Sequence, residues 1–332
     1  MYDKVRLVLY ADSISEFYNW CEVLERIQPV LYRADYSGGK GIWRGRRITA
    51  NEKYISFEGS LPKSLYHHNL KTLSLKEVEE CIMQLSKDLN IPMYLATVEE
   101  VEIAHNFTLN HPPILYLKKL NGPKNFKERT FETTKYIEGD GVSIKFYDKI
   151  REAKKKRELP KYNREELPSN LLRYEVTFPQ KKLTHIFGRE IKANDLWNKY
   201  IFWVLVAEWF EYYNRIEKLP NNCWDIKFHD FKCPKDFIIW CICCTDSVQN
   251  LYDYIKNEVF KYREDPREED RFLHQQIKNW IKKAQKWKKA NLISSPLTEE
   301  LTNKIDEFLT YLEKSSDGFS IEEEKQLFRF AS

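Results

Sequence analysis

An α+β fold, with a central mainly antiparallel sheet, helices packed on one face and a mostly helical C-terminal domain after it, follows from three observations. Short stretches with apolar residues at every second position recur through the first part of the chain, as strands require. Gly- and Pro-rich loops and capped helical stretches separate them, and no internal repeat at a fixed period is found. From about residue 193 the apolar spacing turns helical, over 197–216, 236–260, 268–289 and 298–314, while glycine and strand patterns nearly vanish. The expected division is an α+β domain over 1–190 and a helical domain over 191–332. A chain of 332 residues is of two-domain size.

In order, Val5, Leu7 and Leu9 alternate as a strand. Ser13 with Glu16 forms a capping box ahead of Phe17, Trp20, Cys21, Leu24 and Ile27, which recur at helical spacing. The glycine-rich stretch from Gly38 carries Lys40, Trp43, Arg44, Arg46 and Arg47 and runs into a strand at Tyr54, so a hairpin with a basic tip is expected. Ser74 with Glu77 starts a helix whose stripe is Val78, Cys81, Ile82, Leu85 and Leu89, ending near Asn90 before Pro92. Pro112, Pro113, Gly122, Pro123 and Gly139 to Gly141 mark loops, and Lys154 to Arg157 form a basic run.

The charge is close to balanced, with 54 basic against 50 acidic residues, so any nucleic-acid partner must be argued from distribution. No stretch has the order of a signal peptide, and the longest apolar run, Ile201 to Phe210, is too short for a membrane span. A cytoplasmic protein without membrane partners is expected. Seven cysteines without a secretion signal fit reduced thiols. Cys223, Cys233, Cys241, Cys243 and Cys244 lack two CxxC pairs, so buried thiols are favoured over zinc.

Three strands carry the chemistry. In 98–103, 144–149 and 172–177 the alternation sends Val101 and Ile103, Val142, Ile144 and Phe146, and Leu172, Tyr174, Val176 and Phe178 to a core. The opposite face then holds Glu100 and Glu102, Lys145, Tyr147 and Lys149, and Arg173 and Glu175. Glu102 and Glu175, on neighbouring strands, are candidate ligands for Mg²⁺ or Mn²⁺, a Lewis acid for phosphoryl oxygens. Tyr147 is a candidate nucleophile whose phenol, with a pKa of about 10, needs help from a cation. Lys145 and Lys149 flank it and are expected to favour phenolate and phosphate. These are the parts of a phosphodiester-transfer site. The bland reading of each is an exposed strand with an ordinary surface ion pair.

The chain resembles the gene II replication initiators of filamentous phages and related plasmid and phage replication proteins over roughly residues 50 to 190. The resemblance rests on Gly59-Ser60-Leu61-Pro62-Lys63 with Asn69 downstream, the strand ending at Glu102, Phe146-Tyr147-Asp148-Lys149 with Glu152 after it, and Leu172-Arg173-Tyr174-Glu175. It implies an endonuclease and strand transferase that nicks one strand of double-stranded DNA at the origin of rolling-circle replication. Tyr147 would hold the 5′ phosphate covalently with Lys149 as its companion, and host polymerase or helicase would act on the nicked single strand. Where the family usually shows an Arg-x-Asp pair, this chain has Glu100 and Glu102. No His-x-His pair occurs among its histidines, and His105 reads as a core or edge residue.

DNA contact is expected from Lys63, Asn69, Arg173, the hairpin cations Arg44, Arg46 and Arg47, and the run Arg151, Lys154, Lys155, Lys156 and Arg157. A third basic patch, from Lys278 to Lys289, is interleaved with Trp280 and Trp287, which read as core anchors before stacking platforms. The competing functions are a sequence-specific DNA-binding protein without nicking, suggested by Glu100, and a metal-dependent nuclease that uses water.

Overall fold

The computed structural model describes residues 1–16, 18–35, 38–158, 167–219 and 295–315, with scattered positions between 272 and 282. The five clustered cysteines, Trp287 and the helices expected over 236–260 and most of 268–289 lie outside these residues.

A ten-stranded sheet organises the described chain. Its strands are β1 (Tyr2–Tyr10), β2 (Leu31–Asp35), β3 (Gly38–Trp43), β4 (Arg46–Asn51), β5 (Tyr54–Ser60), β6 (Thr97–Thr108), β8 (Lys127–Thr130), β9 (Thr134–Gly139), β10 (Val142–Asp148) and β11 (Leu171–Pro179). The order is β2-β3-β4-β5-β1-β6-β11-β10-β9-β8, and every neighbouring pair is antiparallel. A separate two-stranded ladder pairs β7 (Leu120–Asn121) with β12 (Glu217–Lys218). The α+β class is as the sequence indicates.

Local chemistry explains most boundaries. The basic hairpin joins β3 to β4 through Arg44 and Gly45, whose φ of 44° and 76° are the positive values a two-residue turn needs to match strand twist. Helix α3 (Leu75–Leu89) begins with the expected box: the Ser74 hydroxyl accepts from the Glu77 amide and the Glu77 carboxylate accepts from the Ser74 amide. The box expected at Ser13 does not start a helix. Residues 11–13 form a 3-10 turn, and α1 (Trp20–Ile27) is capped instead by Asn19, which accepts from the Cys21 amide at 3.1 Å. Helices α2 (Leu61–Tyr66), α4 (Pro113–Leu117), α5 (Lys149–Lys155), α6 (Gln180–Phe187), α7 (Lys199–Arg215) and α8 (Pro296–Ser315) are also present.

The chain divides into two compact units: Met1–Leu117 and Gly122–Ile216 with the chain from Lys304, and Lys118–Asn121 with Glu217–Asn303. The boundary expected near residue 190 therefore falls inside the first unit. The reason is packing, because α7 covers the apolar face of the sheet. Tyr174 lies 4.6 Å from Trp209 and donates its hydroxyl to the Trp209 carbonyl at 2.8 Å, while Phe146 stacks on Tyr174 at 4.5 Å. Phe308 of α8 stacks on His105 at 3.5 Å. Among the described residues no helix is long and apolar enough to cross a membrane.

Candidate active site

The strand alternation read from sequence holds on the apolar side, where Val101, Ile103, Ile144, Phe146, Leu172, Tyr174, Val176 and Phe178 are all fully buried. The opposite side differs from expectation. Instead of an open charged surface it is a buried polar layer, with Glu102 and Glu175 each 4% and Arg173 3% exposed. Helices α2 and α5 border this layer, so helices flank both sides of the sheet, and their Lys63 and Lys156 line the same cleft as Glu102.

Because β1, β6 and β11 are neighbours, Asp3, Glu102 and Glu175 converge. One carboxylate oxygen from each lies within 4.8 Å of the others. Asp3 has the parity of the buried Val5, but an irregularity in the β1–β6 ladder between Tyr2 and Val5 turns it to the polar side. There it accepts from Ser60 at 2.5 Å and from the Asn69 amide at 2.8 Å.

Arg173 ties the trio together. Its guanidinium pairs with Asp3, donates to Glu175 at 2.6 Å, and donates to the Asn69 carbonyl at 2.9 Å and Asn106 at 3.0 Å. Buried and fully engaged, it is a structural cation and not the outward DNA contact expected of it. Lys145 places its ammonium 3.2 Å from Glu102 and 3.6 Å from Glu175. The Tyr147 hydroxyl donates to Glu175 at 2.6 Å, and Tyr147 lines the cleft. Lys149 is not on the strand face. It is the first residue of α5, whose N-cap Asp148 accepts from the Arg151 amide. Its ammonium pairs with Glu152 at 2.8 Å and lies 5.7 Å from the Tyr147 ring centre.

Crowding of like charges sets the protonation states. Burial, then the charges of Glu175 and Asp3, push Glu102 up to about 8, so it is largely neutral at pH 7. Burial works against Asp3 too, yet Arg173, Ser60 and Asn69 together hold it down at about 2. Burial, then Glu175, raises Tyr147 well above the ordinary phenol range. Lys149 is lowered by burial and by Arg173, whereas Glu102 and Glu175 overcome burial to raise Lys145.

The donor set fits a hard divalent cation: three carboxylate oxygens, as Mg²⁺ or Mn²⁺ prefer. Asn69 Oδ1, beside Asp3, is buried without a hydrogen-bond partner among the described residues. The present charges are already near balance, since Arg173 and Lys145 oppose Asp3 and Glu175. A cation bound here would favour the ionised form of Glu102 and so compete with its proton.

Above this floor lies a cleft of about 560 Å³. Of the expected DNA contacts, Arg44, Arg46, Arg47, Lys63, Asn69 and Lys156 line it. Lys63 is paired with Glu158 at 2.8 Å and Arg44 with Asp88 at 3.0 Å, while Asn69 is buried. Arg151, Lys154, Lys155 and Arg157 are exposed on or just after α5, outside the cleft lining, and Arg151 bonds Glu132. Glu100 pairs with Lys4 at 3.2 Å and does not join the trio. Two partners escaped sequence reasoning. Asn106 shares the parity of Glu102 on β6 and was findable; Asp3 was hidden by the ladder irregularity.

A phenol, convergent acids and a basic rim thus lie together on one face of an antiparallel sheet. Residues 39–199 match the family model that describes the N-terminal part of the phage replication-associated protein of gene II type, and over this stretch the chain is similar to that family of replication initiators. The match takes in Glu102, Tyr147 and Glu175, whereas Asp3 precedes it. No curated protein matches the chain at a significant level.

Proposed function

We propose that the cleft nicks one strand of origin DNA and carries the cut end on Tyr147, initiating rolling-circle replication of a phage or plasmid. The observation that supports it is the hydrogen bond of 2.6 Å from Tyr147 to Glu175, one of the three converging carboxylates. Glu175 is placed to take the phenol proton as the oxygen attacks phosphorus. The new bond is Tyr147 Oη to phosphorus, and the bond broken is phosphorus to the 3′ oxygen. That oxygen leaves as a free 3′ hydroxyl, protonated from the open cleft, and the 5′ phosphate stays esterified to Tyr147. Reversal of these steps rejoins the strand without an external energy source.

Asp3, Glu102 and Glu175 would hold Mg²⁺ or Mn²⁺, which supplies Lewis-acid stabilisation of the phosphoryl oxygens. Arg173 positions Asp3 and Glu175. Lys145 carries its ammonium on the cleft side of the same acids, where it favours the negative phosphate. The basic rim at Arg46, Arg47 and Lys63 would hold the DNA backbone, and a host polymerase or helicase would take over the nicked strand.

Supercoiled DNA carrying the cognate origin, incubated with protein and Mn²⁺, tests this reading. Nicked circles bearing protein, suppressed by a chelator, support it. A mobility shift without nicks supports the DNA-binding alternative, and nicks without attached protein support the nuclease that uses water.

A further inference from the structure

The polar face of the sheet continues past the acidic trio to the edge strand. Glu175 is the cross-strand partner of Lys145, Lys145 of Tyr136, and Tyr136 of Arg129. Directly opposed residues share a face, so these side chains form one row. With strands ~4.8 Å apart, the row runs ~15 Å from the trio to the edge. Phe131, two residues beyond Arg129, joins this side: its ring meets Tyr136 edge-on at 5.8 Å and 86°. The Arg129 guanidinium lies 5.8 Å from the Tyr136 ring centre.

Phe131 is 58% exposed, which core packing does not explain. Its place is nonetheless fixed. Its amide donates to the Thr134 carbonyl at 2.8 Å, closing the turn between β8 and β9. Arg151 of α5 bonds Glu132 at 2.9 Å, which ties this turn to the helix that follows Tyr147. At the outer end of the row Lys127, Arg129 and Arg151 stand against Glu132 and Glu138, while Lys145 at the inner end is paired with Glu102 and Glu175. The pairs Arg129–Glu138 and Arg151–Glu132 are exposed, so these cations can turn to a phosphate at little cost.

We propose that Phe131 and Tyr136, flanked by Arg129 and Lys127, are a stacking platform for unpaired bases of the strand beside the nick. The inference rests on the nicking-site reading of the cleft and names its substrate segment as single-stranded DNA. Only unpaired bases offer a free π-face to a ring, and the adjoining cations suit the phosphates between them. The row passes through Lys145 in the cleft, so a strand leaving the cleft along this face meets Tyr136 next and Phe131 at the edge.

Fluorescence anisotropy with a fluorescein-labelled twelve-residue oligothymidine and the full chain, in metal-free buffer, tests this. Wild type is expected to bind, and Phe131→Ala and Tyr136→Ala each to weaken binding about tenfold or more, the scale of base stacking on an aromatic side chain. Phe131→Trp is expected to keep the affinity, with the added indole emission quenched as oligothymidine saturates. Unchanged thermal unfolding of Phe131→Ala would show that the loss is not one of folding. The proposal is overturned if wild type does not bind, if Phe131→Ala binds within twofold of wild type, or if the added emission ignores the oligonucleotide. Binding is read without metal or cleavage, so a failure of the nicking reading appears in the covalent product and leaves this result untouched.

Discussion

The two faces of the central sheet are both buried around Tyr174 and Glu175 and are held together by opposite physics. On one, Tyr174, Phe146 and Trp209 pack ring on ring. On the other, one residue away along the same strands, Arg173, Glu175, Tyr147 and Lys145 exchange hydrogen bonds and charge. The apolar face gains from leaving water, whereas the polar face is costly to desolvate and must be balanced partner by partner. That cost has a consequence for reactivity: burial beside like charge is what lifts Glu102 and Tyr147 out of their ordinary ranges. A sheet can thus carry its stability on one side and its tuned groups on the other.

Several substitutions break or sharpen this contrast. Tyr147→Phe removes the proposed nucleophile but only one hydrogen bond. Covalent product and nicking are expected to fall about a thousandfold or more, while urea unfolding shifts by about 1 kcal/mol. Equal loss of stability and activity would mean the phenol serves the fold. Arg173→Ala strands two buried acids and is expected to cost about 3–5 kcal/mol in denaturant unfolding. Adding Asp3→Asn and Glu175→Gln should recover much of that. Trp209→Ala, on the apolar face, should cost about 3–5 kcal/mol as well, and no change of charge should rescue it.

Each face also holds a group whose displaced titration can be followed through stability, Glu102 on one and His105 on the other, and the signs are opposed. Glu102 is raised to about 8, so the folded state binds its proton more tightly than the unfolded chain between pH 4.5 and 8. Stability from this group is present at low pH and is lost as pH rises through that window. In metal-free protein, Glu102→Gln should therefore gain on wild type progressively from pH 5 to pH 8, by about 1 kcal/mol per pH unit at most. Added Mn²⁺ should narrow the gap by stabilising wild type alone. Burial pushes His105, beneath Phe308, down to about 3. Its neutral form is kept by folding, so its contribution is lost as pH falls from 6.5 toward 3. His105→Phe should gain on wild type only in that acidic window, and by less if Phe308 repacks poorly.

Much of this was readable in the sequence because strand parity is a strong signal. The alternation through Ile144 and Phe146 and through Tyr174 and Val176 placed Tyr147, Lys145, Glu175 and Arg173 on one side, as the structure has them. Parity failed where geometry departs from a regular strand. Lys149 continues the pattern in sequence, but Asp148 caps a helix there, and Asp3 is turned over by the ladder irregularity. Burial of the polar face was not legible, since α2 comes from a distant part of the chain and α5, which follows the Tyr147 strand directly, reads as more strand and a basic run. The boundary expected near residue 190 missed α7 because a helix covering a sheet reads the same as one beginning a helical domain.

The central claim is that Tyr147 becomes the covalent carrier of the cut strand. Protein incubated with origin DNA and Mn²⁺, digested with nuclease and protease and examined by mass spectrometry, should yield the peptide containing Tyr147 with a nucleotide 5′ phosphate on the phenol oxygen. Nicked DNA with that peptide unmodified, or with the phosphate on another residue, would contradict the account.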